Sequence, residues 1–268
     1  IDNKEIAKYI FEYASDYCKE KEFEKIVGPV DSSFWIKYRL KTNLFDRKPY
    51  TSEPYNKPYY LQQFLDGGFN VCERYSSNIY GKFSQDYFDE KAEMRYKQFI
   101  EKGYKIVKPK KEDFDQIIKD VYKMIMELYS NFPVFKTISE EDFIQTFGSL
   151  KKIVNMDTIR IAYFDNQAVG FFISLPNYNN NVYNVNLIKL IRIMKTIKKP
   201  KEYILLYMGV MHEHSGLGNA ISKTILDEMK KNQATSIGAL IKQGKATNYY
   251  IKGNIKQSYE YVLLEKNI

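Results

Sequence analysis

The chain has 268 residues, 44% of them apolar, enough for one large or two ordinary domains with a packed core and too many for wholesale disorder. Its net charge of +8, from 41 Lys and Arg against 33 Asp and Glu, suits an anionic partner such as a phosphorylated cofactor, a nucleic acid or an acidic surface. The only cysteines, Cys18 and Cys72, argue against a disulfide framework or a cysteine-built zinc site, and the absence of a signal peptide or long apolar span makes a cytoplasmic protein the expectation.

The chain begins at Ile1 rather than Met, as a portion of a longer gene product would. Residues 4 to 21 read as a helix with Ile6, Ile10, Tyr13, Ala14 and Tyr17 on one stripe and Asp2 or Asn3 as N-cap. A strand over 23 to 27 ends at Gly28-Pro29, and the turn-rich stretch 31 to 58 carries Pro49, Pro54 and Pro58. A short helix over 59 to 65 stops at Gly67-Gly68, and 69 to 80 reads as a strand. The charged stretch 84 to 102 is a connecting helix in pattern.

A fresh start follows at Gly103, with a strand over 104 to 107 and helices over 114 to 129 and 140 to 153, the second opened by Ser139. Strands over 158 to 164 and 168 to 175 are joined by Asp165-Asn166, a hairpin-type turn. An Asn-rich loop, 177 to 186, precedes a basic amphipathic helix over 187 to 199 that Pro200 breaks. The lysine runs at 108 to 111 and 195 to 201 read as solvated surface, and no interleaved basic-aromatic RNA motif is visible.

The most informative stretch is 203 to 229, YILLYMGVMHEHSGLGNAISKTILDEM. An apolar strand delivers Gly216 and Gly218 to the start of an amphipathic helix. The first N–H groups of a helix lack internal partners and its dipole favours negative charge, so a pyrophosphate is the natural guest of the amides from Gly216 to Ala220. A strand over 235 to 241, a helical segment near Asn248 and a strand over 259 to 264 complete the chain. The order from Gly103, β-α-α-β-β-β-α-β-α-β, fits neither a Rossmann alternation nor a barrel of βα units.

That order, with a G-x-G turn after the fourth strand, resembles the GNAT superfamily of acyl-CoA N-acyltransferases, whose signature here is Gln/Arg-x-x-Gly-x-Gly/Ala. The sequence reads Ser215-Gly216-Leu217-Gly218-Asn219-Ala220, matching at Gly218 and Ala220, with Ser215 in the Gln/Arg place. The resemblance implies that this loop holds the pyrophosphate of acetyl-CoA. It further implies that Met208, Gly209 and Val210, on a strand splayed from its neighbour, pair with the pantetheine arm, and that Asn248 lies near the acyl group. A tyrosine two turns on often protonates the leaving thiolate; Ile255 stands there, so Tyr249 and Tyr250 are the candidates.

The front of the chain echoes the same pattern. Ile6, Lys8 and Ile10 fall opposite Ile221, Lys223 and Ile225, while the glycine-loop positions fall at Ile1 and Asn3, which are not glycines. Asn56-x-x-Tyr59-Tyr60 followed by Gly68-Phe69, and the wording GPVDSSFW, NLFDRKPY and YNKPYY, resemble bacterial tandem GNAT-like proteins. The expected fold is therefore α/β with a mixed sheet, a tandem GNAT arrangement with its first unit incomplete. Residues 1–83 form the partial N-terminal unit, 84–102 the connecting helix and 103–268 the C-terminal domain. The acyl donor is expected only in the C-terminal unit, with the acceptor between the units or near 177 to 186.

Amine acylation from a thioester needs a deprotonated amine, a polarised carbonyl and a stabilised thiolate. Glu213 and Glu202 are the nearest carboxylates, and Glu213 is the candidate base. His212 and His214, the only histidines, are surface turn residues in the simpler reading; no further ligand supports a metal, and none is expected. Tyr203 and Tyr207 either line the acceptor cleft or are half-buried strand positions. The expected activity is acetyl transfer to a small-molecule or peptide amine by direct attack, in a monomer or homodimer that does not engage a membrane. Two alternatives stand beside it: a binding or scaffold protein that has lost turnover, favoured by Ser215 and Ile255, and a tRNA-dependent aminoacyl transferase.

Overall fold

The computed structural model describes residues 2–31, 34–35, 37–152, 154–244 and 254–268. Helix α1 (Lys4–Glu20) opens the chain, its N-cap Asn3 accepting the Ile6 amide at 3.0 Å. Short strands β1 (Lys25–Gly28), β2 (Val30–Asp31), β3 (Lys37–Tyr38) and β4 (Leu40–Lys41) follow. Helix α2 (Tyr60–Asp66) ends at Gly67, with Gly68 at φ 82°, before the long strand β5 (Asn70–Tyr80).

The charged stretch becomes helical later than its pattern suggested. Helix α3 (Glu90–Glu101) starts where Asp89 accepts the Ala92 amide at 3.0 Å. Beyond it come β6 (Lys105–Val107), α4 (Phe114–Leu128) and α5 (Glu140–Phe147). The α-helix expected as far as 153 gives way to a 3-10 turn at Gly148, a residue with weak helix propensity. Strands β7 (Ile159–Phe164) and β8 (Gln167–Pro176) form the expected hairpin, Asp165 and Asn166 both taking positive φ. Helix α6 (Leu187–Lys198), strand β9 (Glu202–Val210), helix α7 (Leu217–Asn232), and strands β10 (Thr235–Lys242) and β11 (Ile255–Asn267) complete the fold.

One nine-stranded sheet organises these elements in the order β1-β11-β5-β10-β9-β8-β7-β6, with β4 also on β11. Its pairings are antiparallel except β9 with β10. Strand β5, from the front of the chain, is inserted between β10 and β11, so β1, β4 and β5 share a single sheet with the strands from 105–267, while β2 and β3 pair only with each other.

Strand alternation divides the core. Ala162, Phe172, Tyr203 and Leu205 pack with Leu217, Ile221, Ile225 and Met229 of α7 on one face. Ile161 and Phe171 pack with Ile117, Val121 and Ile125 of α4 on the other. Helix α3 lies along α7, tied by a Glu93–Lys223 ion pair at 3.1 Å and by the Lys223 ammonium over the Tyr96 ring. Among the described residues no helix is long and apolar enough to cross a membrane.

Candidate functional site

The parallel pairing of β9 and β10 runs from Glu202–Thr235 to Leu205–Gly238 and stops. Strand β9 continues to Val210, still paired with β8 on its other edge as far as Gly170. Strand β10 turns the other way. Leu240 sits at φ 57°, the register against β5 shifts between Gly238 and Ile241, and the Leu240 amide donates to Ser77 Oγ of β5 at 2.9 Å. A bulge anchored on β5 therefore draws β10 away from β9, and the strands splay.

That anchor belongs to a buried polar network. Ser77 Oγ shares a hydrogen bond of 2.9 Å with the Tyr50 hydroxyl, which lies 3.2 Å from that of Tyr261. Tyr261 donates to Glu53 at 2.8 Å, and Glu53 pairs with Lys41 at 3.0 Å. Burial pushes the Glu53 carboxyl above its usual range, with Lys41 pulling the other way. Such a satisfied network rigidifies its surroundings, here the outer half of β10.

Between the splayed strands lies a cavity of about 630 Å³. Met208, Gly209 and Val210 line it from β9, Gly238 to Lys242 from β10, and Ser222 and Ile225 from α7. Segment 34 to 54 closes it through Phe34, Tyr38, Arg39 and Pro54. Gly209 is required for packing, because a Cβ there would lie 2.6 Å from Leu128 and Phe171 atoms. The Tyr129 hydroxyl donates to the Met208 carbonyl at 3.3 Å, and burial raises its pKa. Tyr207 also lines the cavity; it is 37% exposed, and desolvation by the surrounding walls raises its pKa too. Tyr203 does not line it: fully buried, its hydroxyl accepts from Asn232 at 2.8 Å.

The chain leaves β9 through Met211 and a 3-10 turn, His212–His214, into the glycines. Gly216 is the N-cap of α7 at φ 90°, and no side chain caps the helix. The Asn219 amide reaches back to the Gly216 carbonyl at 3.3 Å. Leu217, Gly218 and Ala220 are buried, Gly216 and Asn219 half-buried, and Ser215 exposed. Arg95 and Phe99 of α3 stand beside the turn, the Arg95 guanidinium carbon 3.9 Å from where a Gly216 Cβ would be. The buried Arg95 Nε has no partner. A cation from another helix thus stands by a helix start that carries Ser215 where the signature has Gln or Arg. Sequence spacing gave no sign of it, since Arg95 reaches the turn only through α3–α7 packing.

The remaining candidates divide. Glu202 lies at the closed end of the β9–β10 pairing, accepting from Asn177 at 2.5 Å and Thr235 at 3.1 Å, so it is remote from the splay. Glu213 and His212 are exposed in the 3-10 turn and do not line the cavity. His214 Nδ1 shares a 2.7 Å hydrogen bond with the Tyr104 hydroxyl, which fixes the turn. Asn248, Tyr249 and Tyr250 lie outside the described residues. Ile255 opens β11 with an exposed side chain. Among the described residues no group of three His, Cys, Asp or Glu side chains is placed to hold a metal ion.

No protein-family model matches the sequence, and no curated protein matches it. Solved structures do. The GCN5-related glucosamine N-acetyltransferase region of a fungal multi-domain GH3 beta-N-acetylglucosaminidase superposes with a TM-score of 0.51 at 14% identity, over 80% of this chain and 23% of that one. A tandem GNAT protein from the clavulanic acid biosynthesis pathway aligns over 95% of this chain and 67% of its own, with a TM-score of 0.44 at 10% identity. A GCN5-related N-acetyltransferase from Sphaerobacter thermophilus aligns over 77% and 55%, at 0.47 and 12%. The chain thus spans less than a quarter of the first protein and about half of the third. The first likeness bears on the fold alone, and it agrees with a parallel strand pair that parts beside a glycine-started helix: the chain has the GNAT acyl-CoA N-acyltransferase fold.

Proposed function

We propose that the protein is an acyl-CoA-dependent N-acyltransferase that binds its donor at the β9–β10 splay. One observation carries the reading. The β9 edge from Leu206 to Val210 has no partner strand in β10 and borders a cavity, while the next helix begins without a side-chain cap. An unpaired strand edge offers main-chain groups to an extended ligand, as strand addition does. The pantetheine arm of acetyl-CoA carries amides at suitable spacing, and its pyrophosphate suits the leading amides of α7, Leu217 and Gly218, with Arg95 beside them.

Acetyl-CoA supplies the activated acyl group. Backbone amides of Met208 to Val210 polarise the thioester carbonyl, and Gly209 permits the close packing of that strand. Tyr207, on that strand and lining the cavity, and Tyr129, whose hydroxyl bonds the Met208 carbonyl, supply the proton for the leaving thiolate. Tyr249, Tyr250 and Asn248 keep the roles implied by the resemblance, and Glu213 acts on the amine only through intervening water, given its exposed turn. The acceptor is an amine of small-molecule or peptide class.

Isothermal titration with acetyl-CoA tests the reading. A saturable site is expected; absence of heat at millimolar donor, with the far-UV spectrum intact, overturns it. A binding-only protein of the same fold is the second reading, favoured by Ile255 where a tyrosine acid is usual. Acetyl-CoA binding without thiol release across a broad amine panel selects it.

A further inference from the structure

Arg39 is the most unusual residue in the cavity wall, and neither composition nor motif singled it out. It joins β3 to β4 at φ 94°, a conformation that L side chains other than Asn and Asp rarely adopt. Such strain persists only where the surrounding structure enforces it, and it gathers at ligand sites. The Arg39 amide donates to the Pro29 carbonyl at 3.1 Å, which holds the kink. The guanidinium carbon lies 3.8 Å from the Tyr38 ring centre and 4.2 Å from that of Tyr75, in the corner between two rings set at 88° to each other. A terminal nitrogen bonds the Tyr38 hydroxyl. Its Nε is buried without a partner, and among the described residues no ion pair joins Arg39 to a carboxylate.

A guanidinium held this way is wedged against two rings and has donors to spare. It is a planar fork with five N–H groups, always charged, shaped to receive a carboxylate on two parallel bonds. Leaving a partly buried cation unpaired is unfavourable, and an anionic ligand removes that cost. Arg39 borders the same cavity as Tyr207 and Met208, and much of the remaining lining is apolar.

We propose that Arg39 binds the carboxylate of the acceptor, so that the substrate is an amine of the amino-acid class with an apolar side chain. This rests on the donor reading above. One end of the acceptor is fixed by Arg39, its side chain fills the apolar wall, and its amine faces the free edge of β9. In the transfer, the amine nitrogen forms the new C–N bond, the C–S bond breaks, the thiolate takes a proton from a tyrosine, and the proton lost by the amine returns through solvent to that tyrosinate.

The test pairs each amino acid with its decarboxylated amine: phenylalanine with phenethylamine, leucine with isoamylamine. Release of free thiol from acetyl-CoA is expected to favour the acids at least 10-fold in kcat/KM, mainly through KM. In Arg39→Gln the ratio falls to near one, while Arg39→Lys keeps part of it. Equal use of acid and amine by the wild type, or an unchanged ratio in Arg39→Gln, overturns the proposal.

Should Arg39→Gln fail to fold, the wild type alone decides. N-acetylphenylalanine raises its Tm and the corresponding methyl ester does not; no difference between them overturns the proposal. That melt needs no donor. Acetyl-CoA binding without carboxylate selectivity removes this inference alone, whereas carboxylate selectivity without acetyl-CoA binding removes the donor reading and leaves Arg39 as a carboxylate site.

Discussion

Helices α1 and α7 carry the same alternation of isoleucine and lysine, yet the fold treats them in opposite ways. Ile221 and Ile225 are 0% and 1% exposed beneath α7, while Ile6 and Ile10, opposite them in the repeat register, are 46% and 55% exposed on α1. The two helix starts differ as sharply. Asn3 closes α1 with its own side chain, and Gly216 leaves α7 without one. The third amide is used in both helices, by the Asn3 side chain in α1 and by the Gly216 carbonyl in α7, but only α1 has a side chain over its start. Local pattern gives a helix its stripe; the neighbouring sheet decides whether the stripe is buried, and the N-cap residue decides whether the end is available.

The largest contrast is in stability. Ile221→Ala should cost about 2–5 kcal/mol by urea denaturation, whereas Ile6→Ala should stay within about 0.5 kcal/mol, since only the first leaves a cavity. Comparable losses at both sites would show that α1 is covered in solution.

Next is the helix start. Gly218→Val should weaken acetyl-CoA binding at least 100-fold by titration, about 2.7 kcal/mol, because a branched side chain fills the space beside the amides. Asn3→Gly should leave that affinity unchanged. Unaltered binding in the valine variant places the donor elsewhere.

Smaller effects sharpen the account of the splay. Ser77→Ala strands the Leu240 amide and should lower stability by about 1–3 kcal/mol, with faster hydrogen exchange at Leu240. Unchanged exchange there would mean the bulge stands without its anchor. Asn3→Ala, the mildest, should cost about 1 kcal/mol and only in the first turn of α1, read by local exchange.

How much of this was visible beforehand follows from the range of the forces involved. Strand β9, the glycine turn and α7 were legible because a short apolar, β-rich run, a pair of turn glycines and a 3.6-residue stripe are local signals. The hairpin at Asp165-Asn166 was legible for the same reason. Strand β5 was readable as a strand but not as the neighbour of β10 and β11, since pairing partners far apart in sequence leave no mark in either segment. Arg39 and Arg95 leave no mark in the sequence because a lone arginine has no pattern; burial, two neighbouring rings and a bare helix end give each its meaning. Glu202 was plausible by proximity in sequence and lies at the wrong end of its strand, a distinction that needed the register.

The insertion of β5 has a consequence for how the molecule is made. Asn70 pairs with Glu265 and Lys25 with Asn267, so the sheet joins segments synthesised about two hundred residues apart or more. Emerging from the ribosome, β5 waits with both edges bare until β10 and then β11 arrive, the circumstance in which unpaired strands recruit the wrong neighbour. Contacts of such separation also slow folding. Nascent chains of this protein should therefore depend on chaperones for longer than a GNAT domain whose strands pair in order.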